Sequence, residues 1–74
     1  MTRLPTLSAR KIIKALERAG FVLIRQRGSH YQMKHPTKNL RTLVPVHGDD
    51  ISRGLLRRIL NQTQLSEDEF RELL

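Results

Sequence analysis

A chain of 74 residues, 38% of them hydrophobic, has material for one core and none for a second domain, so residues 1–74 read as a single domain. Cysteine is absent, which excludes disulfides and thiolate metal sites and fits a reducing compartment. Fourteen lysines and arginines against seven acids give a net charge of +7, an excess that points to a polyanion such as nucleic acid.

The charge is unevenly placed. Met1 to Gly48 holds ten basic residues and one acid, Glu17, whereas Asp49 to Leu74 holds four basic and six acidic residues. The polyanion should therefore meet the first two-thirds of the chain. Met1 to Ser8 lacks the apolar run of a signal peptide and no stretch is of membrane-spanning length, so a soluble, cytoplasmic protein is expected.

In chain order, Ala9, Ile12, Ile13, Leu16 and Ala19 have helical spacing, with Ser8 as N-cap, Leu7 as a staple against Ile12 and Gly20 as the stop. Arg10, Lys14 and Arg18 recur every four residues and form a basic stripe opposite the apolar face, with Lys11 beside it. Phe21 to Arg27 and His30 to Met33 are rich in strand-forming residues. Gly28-Ser29 between them signals a two-residue hairpin loop, because glycine accepts the positive φ of such turns.

That loop predicts a register. Arg27 pairs with His30, Gln26 with Tyr31, Arg25 with Gln32 and Ile24 with Met33. One face then carries Val22, Ile24, Gln26, Tyr31, Met33 and His35 as a core, and the other carries Leu23, Arg25, Arg27, His30, Gln32 and Lys34. Pro36 to Leu40 is a connection. Arg41 to Val46 is a third strand, placed at a sheet edge by Pro45, which cannot donate to a ladder; which of Leu43 and Val44 turns inward stays open.

After a turn at Gly48 to Asp50, Leu55, Leu56, Ile59 and Leu60 mark a helix from about Ser52, locally weakened by Gly54. Ser66 and Glu69 form a capping box with Leu65 and Phe70 as its staple, so a short last helix starts there. Glu67, Asp68 and Glu69 suit its positive end. The expected fold is α+β, in the order α-β-β-β-α plus a short C-terminal helix. Its three-stranded antiparallel sheet carries two helices on one face, as in double-stranded-RNA-binding domains.

The uncovered face is then the cationic one, with Arg25, Arg27 and Lys34 around His30. A neutral imidazole there can take the proton of a ribose 2′-hydroxyl, which attacks the adjacent phosphate while arginine and lysine stabilise the charge that builds on phosphorus. Such a transesterification calls for no metal and no cofactor. On these residues alone, a small RNA-binding module without catalysis is the first reading and cleavage the second. A metal site among His30, His35 and His47 is disfavoured: the first two point to opposite faces, and no carboxylate lies near them. His47, after the third strand and before the turn at Gly48, is either a structural cap or a neighbour of the active site, with the structural role favoured. A helix-turn-helix is disfavoured because its second helix would be acidic, and three aromatic residues, Phe21, Tyr31 and Phe70, are too few for an RRM-like stacking sheet.

An ordered set of segments completes the reading: Gly20-Phe21, Gly28-Ser29-His30, His35-Pro36, Val44-Pro45-Val46-His47, and Leu55-Leu56-Arg57-Arg58-Ile59-Leu60 followed by Leu65-Ser66. Together they resemble the HicA-type toxins of bacterial and archaeal toxin–antitoxin systems over nearly the whole chain. The resemblance implies a double-stranded-RNA-binding-like fold used for ribosome-independent mRNA cleavage, with the histidine of Gly-Ser-His, here His30, catalytic. It also implies a HicB-like antitoxin that covers the His30 face. Members of the family often carry a second histidine after the first, where this chain has Tyr31; the register puts that position on the core face.

Overall fold

The computed structural model describes residues 6–46, 48 and 50–74. The order is α1 (Ala9–Arg18), β1 (Val22–Arg27), β2 (His30–Lys34), β3 (Arg41–Pro45), α2 (Arg53–Thr63) and α3 (Glu67–Leu73). The strands form one antiparallel sheet in the order β1-β2-β3, so β3 with its Pro45 is an edge as expected. His47, read from sequence as structural, lies outside the described residues.

Local chemistry sets the helix boundaries. The Ser8 side chain accepts a hydrogen bond from the Lys11 N–H, and Ser52 does the same for Leu55, each satisfying a donor that the first helical turn leaves open. Gly20, at φ +99°, turns the chain out of α1 toward β1. At Ser66 both halves of the capping box form: Glu69 N–H donates to Ser66 Oγ at 3.1 Å and Ser66 N–H to Glu69 Oε1 at 3.0 Å. The hydrogen bonds from the Ser66 backbone and side chain hold the Glu69 carboxyl below its ordinary value.

The core lies between one face of the sheet and the helices. Ile12, Leu16, Met33, Val44, Leu56, Ile59 and Phe70 are fully buried in it. Val44, not Leu43, turns inward, which decides the orientation that the sequence leaves open. Thr42, buried beside it, donates through Oγ1 to Gln62 Oε1 at 2.7 Å and so ties β3 to α2. Leu7 and Ile51 form an isolated antiparallel bridge, in which the Ile51 N–H donates to the Leu7 carbonyl and joins the entries to α1 and α2.

One part of the expected core is corrected. Arg27↔His30, Gln26↔Tyr31 and Arg25↔Gln32 pair as the turn predicts, but Met33 faces Leu23 and not Ile24, and Val22 faces Lys34. A bulge between Leu23 and Arg25 adds one residue to β1, and because strand side chains alternate, every position beyond it changes face. Val22 thus shares the open face with Lys34, and Leu23 turns to the helix side. All six residues of β1 are exposed, since the buried core takes Met33 from β2 and Val44 from β3 but nothing from β1.

Candidate functional site

Cross-strand pairing assembles the open face in rows. Arg27, His30 and Pro45 form one row, Arg25, Gln32 and Leu43 the next, and Val22, Lys34 and Arg41 the third. The alternate rows, Gln26-Tyr31-Val44 and Leu23-Met33-Thr42, turn to the helices.

The hairpin loop fixes His30 at the first position of β2. Gly28 has φ +59°, and no other residue of that loop has a positive φ, the pattern of a two-residue turn whose first central residue must be left-handed. The Val46 N–H donates to the Ser29 carbonyl at 2.6 Å, so β3 is pinned to the loop one residue before His30. His30 therefore sits between two strands rather than on a free hairpin tip.

Arg25, Arg27, His30, Gln32 and Leu43 line a shallow concavity of about 170 Å³ on this face. Two guanidinium groups, an imidazole and an amide around an exposed leucine make a site that can hold an anion next to a proton acceptor. Of the residues singled out from sequence, the structure brings Arg25 and Arg27 to His30. Lys34 is on the same face but at the far end of β2, four residues or ~13 Å away at strand rise, beside Arg41. Gln32 and Leu43 line the site without having been given a role in it; the register signals Gln32, whereas Leu43 depends on the orientation of β3.

His35 has a different surrounding. It follows β2 with its ring edge-on to Phe21, centroids 5.3 Å apart and planes at 86°. Its Nδ1 accepts from the Thr37 and Lys38 N–H groups at 3.3 and 3.2 Å, which shapes the turn after β2. The ring also lies over Gly20, where a Cβ would come within 2.9 Å of Nε2. Gly20, Phe21 and His35, apart in sequence, thus pack against one another.

The fold and this face define a small α+β protein with a cationic, imidazole-bearing open sheet. A family model described as the HicA toxin of bacterial toxin–antitoxin systems matches residues 9–65, which takes in the first two helices and the entire sheet. The chain belongs to the HicA toxin family. No curated protein matches it.

Proposed function

We propose that the chain is a metal-independent endoribonuclease that cleaves mRNA at His30, the toxic activity of a toxin–antitoxin pair. The observation that carries the reading is the concavity in which Arg25 and Arg27 flank His30 on the face the helices leave open. RNA on that face has its phosphates between the two guanidinium groups, which form charge-assisted and often bidentate hydrogen bonds to such oxygens. The imidazole of His30 takes the proton of a 2′-hydroxyl. The 2′-oxygen then bonds to the adjacent phosphorus, the bond from phosphorus to the 5′-oxygen breaks, and that oxygen leaves with a proton from water. The products are a 2′,3′-cyclic phosphate and a 5′-hydroxyl end. The arginines act on the phosphorane, where negative charge is greatest, and Lys34 holds a phosphate further along the strand.

The same face suits a protein inhibitor. Val22 and Leu43 expose 47% and 44% of their surface there among Arg25, Arg27 and Lys34, so an antitoxin of the HicB kind with an apolar and acidic surface covers His30 by occupying the RNA site. Incubating labelled single-stranded RNA with the protein in EDTA tests the reading: cleavage with cyclic-phosphate ends supports it, and binding of RNA that stays full length makes the chain an RNA-binding module.

A further inference from the structure

A second concavity, about 350 Å³, lies on the helix side of the sheet between α1 and the hairpin end of β2 and β3. Arg10, Ile13, Lys14 and Glu17 of α1 form one wall, and Tyr31 and Val46 form the other. The volume is at the small end of the range of ligand sites. Tyr31 is half-buried and lines the groove, and Lys11 borders the same space.

We infer that this groove is a second RNA subsite, in which one unpaired base stacks on the Tyr31 ring while Arg10 and Lys14 hold its flanking phosphates. The inference rests on the proposed reading that RNA occupies the His30 face. Three observations carry it. The groove combines an aromatic ring with cations, the two components of sequence-tolerant single-strand sites. Arg10, Lys11 and Lys14 outnumber the single acid, Glu17, so the groove attracts a polyanion. Finally, His30 and Tyr31 are consecutive on β2 and point to opposite faces, and the end of the sheet between them is the joint of Ser29 and Val46. A strand that leaves the arginines at His30 and passes round that joint arrives at Tyr31. Tyr31 thereby gains a role in substrate binding that does not touch the bond cleaved.

The protein reports on this site directly, because Tyr31 is its one tyrosine and it has no tryptophan. The full chain is titrated with an end-labelled 2′-O-methyl oligoribonucleotide of about ten nucleotides, which lacks the attacking hydroxyl and cannot be cut; lengths of this order span a typical single-strand site. Label anisotropy and tyrosine emission, corrected for absorption, are followed together. Expected is quenching of the emission with the same midpoint as the rise in anisotropy. Tyr31→Ala should weaken binding about tenfold, the scale of one lost stacked base, while Tyr31→Phe should bind like the parent. Lys14→Ala should lower the salt slope by about 0.7, the value for one phosphate on a single strand. If RNA binds with unchanged emission and Tyr31→Ala and Lys14→Ala both match the parent, the groove is not a subsite; a separate cleavage assay tests the His30 chemistry independently of that result. Absence of any binding also overturns the inference. Quenching in a protein that cuts no RNA removes the cleavage reading and leaves the subsite in place.

Discussion

The two faces of β2 differ residue by residue. Met33 has no exposed surface, whereas His30, three positions earlier on the other face, is exposed and flanked by Arg25 and Arg27. The helix-covered face stabilises the domain by excluding water from Met33, Val44 and the apolar sides of α1 and α2. The open face adds little to that burial and collects the groups able to handle an anion. Stability and the proposed chemistry therefore lie on alternate residues of one strand, and substitutions should separate them.

The largest loss of stability is expected on the covered side. Phe70 of α3 is fully buried, and Phe70→Ala should destabilise by about 3–5 kcal/mol in a denaturant titration. The protein that remains folded should keep its cleavage rate per molecule; a rate lost beyond the unfolded fraction would show that the two faces are not independent. Gly20→Ala comes next. At φ +99° and with a Cβ brought to 2.9 Å from His35 Nε2, the substitution should cost about 1–3 kcal/mol, read by the same titration.

Ser66→Ala removes the hydroxyl half of the capping box and should cost about 1 kcal/mol. Its pH dependence has a definite sign. The folded-state value of Glu69 lies below the ordinary 4.5, so its contribution is fully present above that value and disappears as pH falls through the folded-state value. The larger cause, the Ser66 N–H, persists in Ser66→Ala, so the stability gap between parent and variant should narrow on acidification through that window only by the smaller, hydroxyl share, as measured by thermal unfolding at successive pH values. Arg25→Ala and Arg27→Ala should leave stability within about 0.5 kcal/mol while each flattens the salt dependence of RNA binding by about 0.7 in slope. An unchanged slope for both would move the polyanion to another face.

Much of this division was legible in the sequence. Gly28-Ser29 specified the hairpin and hence the first three cross-strand pairs, and that sufficed to put His30 with Arg25 and Arg27 and to separate it from Tyr31. Ser8 as a cap and the Ser66 capping box located the starts of α1 and α3, and the apolar strip from Leu55 located that of α2. The bulge in β1 was not legible, because Val22-Leu23-Ile24 is uniformly apolar and carries no glycine or proline at the extra residue. Alternation in such a run has no polar position to fix its phase. The facing of Leu43 and Val44 was hidden for a related reason: β3 enters through the 36–40 connection, whose geometry depends on His35 accepting the Thr37 and Lys38 N–H groups. The groove at Tyr31 needed the approach of α1 to the sheet, a tertiary distance that local patterning does not carry.

The most direct measurement is cleavage of single-stranded RNA in EDTA by purified His30→Ala beside the parent, with both proteins checked by thermal unfolding. His30 is exposed at the end of β2, so its replacement should change stability by no more than about 0.5 kcal/mol. Equal melting with cyclic-phosphate products from the parent and none from His30→Ala is the expected result. Cleavage by His30→Ala at the parent's rate would contradict the assignment of the chemistry to this face.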